Sequence, residues 1–388
     1  METVRFLDNN GTFTLDKPEN YSYLYFPIAQ EMGLKGAVTP NFGGDCKRNQ
    51  NAFLMEPVSA ENLHNNRTGR NFWCRVKNNG SWSVVGASAE EEAKKFTADQ
   101  DESKLKAGFM WQTVTRKSAK YQLEAEVTVF APLEHEVELM QVKICNIGAD
   151  VQTITPIAAI PIYGRSADNI RDHRHVTSLL HRISTTDYGV CVKPTMSFDE
   201  RGHQKNELTY FVCGMTGEGE APIDFYPTVD CYLGEGGSYT HPRAVLAETA
   251  GIPAGSCMEG KEAVGGIRFR EMTLQPGASA SYTLIMGVTD QKSGIAQAVA
   301  EYKTAEKVDE SLTKMQEHWQ KKVNVRYYTG QKDFDNYMRW VSFQPILRRI
   351  YGCSFLPHHD YGKGGRGWRD LWQDCLALLL MNPSGVGQ

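Results

Sequence analysis

The sequence lacks a long apolar run. Its longest, residues 375–381, has seven residues, whereas a helix that crosses a bilayer needs roughly 20. The nine cysteines contain no C-x-x-C pair, and their odd number, in a chain that starts without a signal peptide, favours reduced thiols. We therefore expect a cytoplasmic protein that does not associate with membranes.

The sequence also lacks an excess of charge of one sign. It has 42 lysines and arginines against 46 aspartates and glutamates, a formal net charge of −4, and the basic residues are scattered along the chain. A nucleic-acid-binding surface requires basic residues gathered on one face, so we predict no nucleic-acid partner. The length of 388 residues, with 41% hydrophobic residues, is sufficient for two or three domains.

Polar and apolar residues alternate along much of the chain before residue 290. The alternation is clearest in residues 121–130, 137–144 and 281–288, and turns rich in glycine, asparagine and aspartate separate such runs. Short alternating runs joined by turns are typical of antiparallel sheets. We predict a large antiparallel β-sandwich over residues 1–292.

The period of the sequence changes near residue 293. Residues 295–323 contain no glycine or proline and are rich in helix-forming residues, which predicts one long helix or two short helices. We assign residues 293–330 to a helical linker that follows the sandwich.

Helical spacing returns in residues 331–388. The first predicted helix begins near residue 333, and Pro345 is expected to kink or interrupt it. The second begins at Trp368 or Arg369 and ends at residues 382–385. Two helices cannot bury their apolar faces as a domain of their own, so we expect a longer helical domain or a partner to complete this part.

A glycine-rich segment, residues 363–374, leads into the last predicted helix with the sequence KGGRGWRDLWQD. Asp370 and Asp374 are four residues apart and therefore on one helix face. The start of a helix favours ionised carboxylates, which accept hydrogen bonds from hydroxyls but are poor proton donors. We interpret both aspartates as acceptors for sugar hydroxyls. The alternative that Asp370 simply caps the helix remains open.

The other long side chains of this segment also suit a polar ligand. Arg366 and Arg369 flank the helix start, where a guanidinium is able to bind a phosphate or a carboxylate through two hydrogen bonds. Trp368 and Trp372 suit stacking against a pyranose ring, although packing within the helical core is the more common role for at least one of them.

Two further polar segments are less specific. His358, His359 and Asp360 do not predict a metal site, because adjacent histidines rarely point to one ion. Residues 164–182 contain four arginines and three histidines. They are interpreted either as a functional loop that reaches over a site or as a solvated loop.

The order of these features resembles glycoside hydrolase family 94, the inverting disaccharide phosphorylases that include the cellobiose, chitobiose and laminaribiose phosphorylases. The resemblance rests on the large sandwich, the helical linker, the sequence WVSFQ at residues 340–344 and, most specifically, the pattern G-x-R-D-x-x-Q-D at residues 367–374. Residues 4–8 and 163–182 are most similar to the laminaribiose phosphorylase type.

The resemblance implies a fold and a reaction. Residues 331–388 would begin an (α/α)6 catalytic barrel that this chain contains only in part. Such enzymes use inorganic phosphate as a co-substrate to cleave a β-linked glucose disaccharide into α-glucose 1-phosphate and a sugar, without a cofactor or a metal ion. Their general acid lies downstream of this segment, so the resemblance implies no catalytic residue here and a chain that is inactive alone. It also implies a homodimer, or a separate C-terminal half, as partner.

The resemblance further implies which residues bind the substrates. Asp370 would hold sugar hydroxyls in subsite −1, assisted by Lys363 or Arg366. The arginine that contacts phosphate in the family is replaced here by Cys353, which leaves Arg348 or Arg349 as candidates. The predicted substrate-binding residues are Lys363, Arg366, Trp368, Arg369, Asp370, Gln373 and Asp374, and the predicted phosphate-binding residue is Arg349.

Two other functions remain open. One is a carbohydrate-binding β-sandwich with a helical tail that performs no chemistry. The other is a hydrolase, or a glycosyltransferase, with the same architecture.

Overall fold

The structure is a computed structural model that describes residues 4–21, 24–31, 33–59, 69–199, 202–291, 293–352 and 367–381. The strands are β1 (Arg5–Phe6), β2 (Phe13–Asp16), β3 (Phe26–Ala29), β4 (Lys35–Val38), β5 (Lys47–Asn49), β6 (Ala52–Phe53), β7 (Asn71–Val76), β8 (Gly80–Ser83), β9 (Glu102–Gly108), β10 (Trp111–Ser118), β11 (Leu123–Phe130), β12 (Val137–Asn146), β13 (Gln152–Ile162), β14 (Arg182–Thr185), β15 (Gly189–Val192), β16 (Met196–Asp199), β17 (Gly202–Lys205), β18 (Thr209–Thr216), β19 (Asp224–Thr228), β20 (Cys257–Glu259), β21 (Ala263–Arg268), β22 (Met272–Leu274) and β23 (Ser279–Thr289). The α-helices are α1 (Ala89–Lys94), α2 (Arg174–Ser178), α3 (Val229–Leu233), α4 (Arg243–Leu246), α5 (Gly294–Glu301), α6 (Ala305–Lys322), α7 (Lys332–Tyr351) and α8 (Trp368–Met381).

Eleven strands form one antiparallel sheet, in the order β1-β2-β9-β10-β11-β12-β23-β18-β15-β14-β20. Alternating burial accounts for its strands: in β9, Ser103, Leu105 and Ala107 are buried while the residues between them are exposed, because successive side chains point to opposite faces. The last strand in the sequence, β23, lies in the middle of the sheet between β12 and β18. The strands predicted from the clearest alternation are β11, β12 and β23, so those predictions are confirmed.

A second sheet packs on one face of the large sheet. Its strand order is β19-β21-β13-β7-β8, with β22 paired to β13. Strands β15 and β18 of the large sheet contact β21, and Val190, Val212 and Ile267 belong to the apolar core between the two sheets. The predicted antiparallel sandwich is therefore confirmed. Two smaller sheets, β3-β4-β5-β6 and β16-β17, lie outside these two.

Helices cover the other face of the large sheet. Helices α5 and α6 contact β23, and Met315 and Trp319 of α6 share a second apolar cluster with Ile285 of β23. Phe343 and Leu347 of α7 belong to the same cluster. The molecule thus has three layers, namely the small sheet, the large sheet and the helices.

The predicted helices are confirmed with one correction. The linker contains two helices, α5 and α6, and the last helix begins at Trp368. Pro345 does not interrupt α7, which runs from residue 332 to residue 351. A proline inside a helix costs about 3 kcal/mol, and the burial of Phe343, Ile346 and Leu347 around Pro345 offsets this cost.

Two expectations are not decided by these elements. The division into a sandwich (1–292), a linker (293–330) and the start of a barrel (331–388) stays a prediction, as does the cytoplasmic location. Among the helices of the described ranges, none is long and apolar enough to cross a membrane.

Residues 164–182 are partly buried and partly exposed where the structure describes their side chains, and the choice between a functional loop and a solvated loop stays open. They contain a 3-10 helix (Ala167–Arg171) and α2. Arg165 is buried, and His181 is fully buried at 0% exposure. Burial, and next the nearby Arg165 guanidinium, lower the pKa of His181 to about 3. This imidazole is therefore neutral at physiological pH.

We expect His181 to make the fold sensitive to mild acid. In an unfolded chain a histidine binds a proton below about pH 6.5, whereas His181 in the fold remains neutral down to a pKa of about 3. Between these values the unfolded state binds more protons. The free energy of unfolding should therefore fall as the pH drops, by up to about 1.4 kcal/mol per pH unit from this group.

The substitution His181→Gln should remove this contribution. Urea unfolding of both proteins between about pH 7 and about pH 5 measures it, and the variant should lose less stability over this range. His203→Gln, at an exposed histidine, is the control and should behave as the wild type. Equal pH dependence in wild type and His181→Gln would show that His181 is not the acid-sensitive group.

Candidate functional site

The first helix after the linker is attached to a turn near the N-terminus. Asn336 of α7 accepts a hydrogen bond from Gly11 N at 2.9 Å and donates one to Asp8 O at 2.9 Å. Trp340 donates its indole N–H to Gly11 O at 2.8 Å. Gly11 has a φ of +81°, a conformation that favours glycine. Side chains of α7 therefore satisfy the backbone of this turn, which fixes the helix on the sandwich.

Arg339 adds a charged contact to the same turn. Its guanidinium donates to Asn9 O at 3.2 Å and to Val323 O at 2.8 Å, and it lies 5.4 Å from the ring centroid of Phe109. Burial, and next the positive charge of Arg326, lower the pKa of Arg339 to about 10. The side chain is still charged at neutral pH, and it ties the end of the linker to the start of the sandwich.

One carboxylate joins the sandwich to both the linker and α7. Glu31, which follows β3, forms ion pairs with Lys322 of α6 at 2.8 Å and with Arg349 of α7 at 3.0 Å, and a hydrogen bond with His318 of α6 at 2.9 Å. Burial alone would raise the pKa of Glu31, but the hydrogen bonds from Lys322 and His318 outweigh burial and lower it. Arg349, the predicted phosphate ligand, is therefore held by Glu31, with 46% of its side chain exposed.

The last helix is held on α7 by a buried carboxylate. Nε of Arg348 in α7 donates to the two carboxylate oxygens of Asp374 in α8 at 2.7 and 2.9 Å. Asp374 is only 2% exposed. Asn324 of the linker donates to the Met381 carbonyl at the end of the same helix. Asp374 was predicted to bind sugar; its carboxylate is engaged by Arg348, and the sugar contact stays a prediction.

Four of the predicted sugar-binding residues are exposed at the start of α8, namely Trp368, Arg369, Asp370 and Gln373. Nη2 of Arg369 lies 3.2 Å from Oδ1 of Asp370. A Cβ on Gly367 would lie 3.3 Å from Oδ2 of Asp370, so the glycine leaves room for the carboxylate to turn back over the helix start. The helix dipole favours a negative charge at this position.

Other predicted residues lie outside the described ranges, namely Lys363, Arg366, Cys353, His358, His359 and Asp360. Arg348 and Arg349, the two candidates for phosphate, are both inside them, and each is bound to a carboxylate. In the part of the chain that the structure describes, no three metal-binding side chains form a cluster. The expectation that the protein needs no metal stays a prediction.

Helices α7 and α8 both expose apolar side chains. Phe334, Tyr337 and Val341 of α7 are between 41% and 58% exposed. The exposed apolar residues of α8 are Trp368, Leu371, Trp372, Leu376, Leu379 and Leu380. In both helices these residues recur at the three- or four-residue spacing of one helical face. Since α7 also buries apolar residues against the large sheet, it is apolar on two sides, which is typical of a helix between two layers.

The start of α8 therefore combines a carboxylate, a guanidinium, an amide and an indole on an exposed surface. The first three accept or donate hydrogen bonds to hydroxyl groups, and the indole offers an apolar plane with a polar edge. This arrangement suits one wall of a site for a polyhydroxylated ligand. Its position depends on the contact between Arg348 and Asp374 described above.

Comparison with known families decides the assignment of the sandwich. Residues 36–305 match the model described as "Glycosyl hydrolase 94, supersandwich domain", which is more than half of the chain. The chain belongs to glycosyl hydrolase family 94. The matched region ends before residues 340–344 and 367–374, so it supports the family independently of the motifs from which the resemblance was inferred. No curated protein matches the sequence.

Several solved structures are similar to this family 94 chain at low sequence identity. A bacterial glucoamylase complexed with acarbose matches with a TM-score of 0.50 and 7% identity, over 86% of this chain and 41% of the glucoamylase. A putative kojibiose phosphorylase from the human microbiome matches with a TM-score of 0.33 and 9% identity, over 88% and 39%. A putative aldose 1-epimerase from Escherichia coli K12 has a TM-score of 0.35 and 8% identity, over 69% and 99%. The chain thus spans about two fifths of the length of the first two.

We expect the substitution Arg348→Ala to loosen α8 selectively. It removes the arginine from the buried carboxylate of Asp374, and breaking a fully buried pair costs about 3 to 5 kcal/mol. Because one third of the Arg348 side chain is exposed, solvent screening reduces this to about 2 kcal/mol. Amide hydrogen exchange should become faster in residues 368–381 and stay unchanged in β10 to β12.

Arg349→Ala is the matched control, since this neighbouring arginine binds Glu31, which keeps Lys322 and His318. It should leave the exchange of α8 close to that of the wild type. If Arg348→Ala also left α8 as well protected as in the wild type, the helix would be held by other contacts.

Proposed function

We propose that this family 94 chain is the N-terminal part of an inverting β-glucoside phosphorylase of the laminaribiose or cellobiose type. The complete enzyme converts the disaccharide and inorganic phosphate to α-glucose 1-phosphate and a sugar, without a cofactor. The observation that supports this proposal most directly is the G-x-R-D-x-x-Q-D pattern at an exposed helix start, in a chain whose sandwich matches family 94.

In this proposal the start of α8 binds the sugar in subsite −1. Asp370 accepts hydrogen bonds from two hydroxyls, and Arg369 and Gln373 offer donors beside it. Trp368, which is 80% exposed, provides the plane against which the ring stacks. Lys363 or Arg366 shares the task. Asp374, held by Arg348, contributes mainly by fixing the position of these side chains.

Arg349 is proposed to contact phosphate. Its Nη2 is bound to Glu31 at 3.0 Å and its side chain is nearly half exposed, so its other N–H groups are available to a phosphate oxygen. The ion pair with Glu31 restricts the guanidinium before phosphate arrives, which reduces the entropy lost on binding.

The rest of the active site, including the general acid, is proposed to lie on further helices of the barrel. The exposed apolar faces of α7 and α8 support this, because a barrel helix packs on both sides. A homodimer, or a separate C-terminal half, is the expected partner. The proposed location is the cytoplasm, in keeping with the reduced thiols expected from the cysteine pattern.

The test is phosphorolysis. The chain alone should release no glucose 1-phosphate from laminaribiose or cellobiose and phosphate. A C-terminal half added in trans should restore the reaction. In that reconstituted enzyme Asp370→Asn should lower kcat/KM by about 10- to 100-fold, because a hydrogen bond to a charged group contributes about 1.5 to 3 kcal/mol.

Asp99→Asn, at an exposed aspartate of the sandwich, is the control and should leave kcat/KM unchanged. Release of glucose 1-phosphate by the chain alone would refute the placement of the general acid. An unimpaired Asp370→Asn enzyme would refute the subsite. Hydrolysis that does not require phosphate would identify a hydrolase, and saccharide binding with no reaction after reconstitution would identify a binding module.

A further inference from the structure

The sequence contains the tripeptide Asn-Asn-Gly twice, at residues 9–11 and 78–80, and no other asparagine precedes a glycine. In both copies the asparagine next to the glycine, Asn10 or Asn79, is exposed. Both glycines have a positive φ, +81° at Gly11 and +98° at Gly80. The two copies therefore form a matched pair within one molecule, and they differ in the contacts that hold them.

An asparagine that precedes a glycine is able to react with its own backbone. The glycine nitrogen attacks Cγ of the asparagine, a succinimide ring forms, and the side-chain NH2 leaves as ammonia with the proton of the glycine nitrogen. Water then opens the ring at either carbonyl, which gives aspartate or isoaspartate. Glycine permits this attack because it has no Cβ to hinder its nitrogen. Contacts to the side chain or to the glycine nitrogen should therefore decide the rate.

The first copy is held at both reacting groups. The Gly11 N–H donates to Oδ1 of Asn336 in α7 at 2.9 Å, and Nη1 of Arg326 donates to Oδ1 of Asn10 at 3.0 Å. Gln320 of α6 donates to the backbone carbonyl of Asn10 at 2.9 Å. Attack at Asn10 requires that these contacts open, so the attachment of α7 protects this copy.

The second copy lies in the turn between β7 and β8, and within the described ranges the Asn79 side chain forms no hydrogen bond. The Asn79 N–H donates to Val76 O at 3.0 Å, and Gly80 pairs with Val76 as the last pair of the hairpin. Strand β8 is at the edge of the small sheet, and hydrogen bonds at the end of an edge strand open at little cost in free energy. Asn79 is thus able to reach the nitrogen of Gly80.

We infer that Asn79 is a site of spontaneous modification, where the folded protein converts asparagine to aspartate and isoaspartate, and that the contact with α7 protects the identical sequence at Asn10. Aspartate adds a negative charge to the turn, and isoaspartate adds a carbon to its backbone. The modification requires only water and goes beyond the proposed phosphorylase function, since no activity of the chain is involved.

The test is peptide mapping by mass spectrometry of this chain alone, after incubation in mildly alkaline buffer. Conversion replaces NH2 by OH, and chromatography separates the aspartate and isoaspartate peptides. In the folded protein the Asn79 peptide should convert at least about tenfold faster than the Asn10 peptide, because attack at Asn10 requires local opening. In concentrated urea the two peptides should convert at similar rates, since both have the sequence Asn-Asn-Gly followed by a hydroxyl residue, Thr12 or Ser81.

The substitution Asn336→Ala removes the acceptor of the Gly11 N–H. It should speed conversion at Asn10 several-fold and leave the rate at Asn79 unchanged. Tyr337→Ala, at the neighbouring exposed residue of α7, is the matched control and should change neither rate. Asn79→Gln should abolish the conversion of its own peptide, which verifies the assignment.

The inference is overturned if Asn79 converts no faster than Asn10 in the folded wild type, or if an equal difference persists in urea, because the fold would then not be its cause. An unchanged rate at Asn10 in Asn336→Ala would refute protection by α7. The comparison of the two wild-type peptides does not depend on the folding of any variant, and because no turnover is measured, it is independent of the phosphorolysis test.

Discussion

The attachment of α7 to the N-terminal turn is the contact on which the candidate site depends. The hydrogen bond between Gly11 and Asn336 joins residues 325 positions apart in the chain, and Trp340 and Arg339 bind the same turn. Helix α7 then supports α8 through Arg348. The exposed side chains at the start of α8 are thus positioned from the sandwich outward, by these polar contacts together with the apolar packing of Phe343 and Leu347 on the large sheet.

Two adjacent arginines of α7 bind carboxylates on different parts of the molecule. Successive residues of a helix point about 100° apart. Arg348 therefore reaches Asp374 on α8, while Arg349 reaches Glu31 on the sandwich. Since Glu31 also binds His318 and Lys322 of α6, helices α6 and α7 and the sandwich meet at one carboxylate.

The strands could be predicted from the sequence because alternating burial is a local pattern, as in residues 137–144. The packing of α7 could not be predicted from the sequence. The apolar spacing of Phe334, Tyr337 and Val341 marks a face that is exposed, whereas the buried face includes Asn336 and Arg339, whose partners lie at the other end of the sequence. The spacing of Asp370 and Asp374 predicted that they share one helix face, but no local pattern shows that Arg348 binds only one of them.

The central position of β23 has a consequence for synthesis of the chain. Strands β12 and β18 each pair with β23 in the finished sheet, so both keep an open edge until residues 279–289 have left the ribosome. At about 5 to 20 residues per second, the ribosome needs roughly 7 to 27 s to travel from the end of β12 to the start of β23. During that time the nascent sheet is split in two, with exposed edges that are able to pair with other chains. The edges of β12 and β18 are covered only when β23 pairs with both strands.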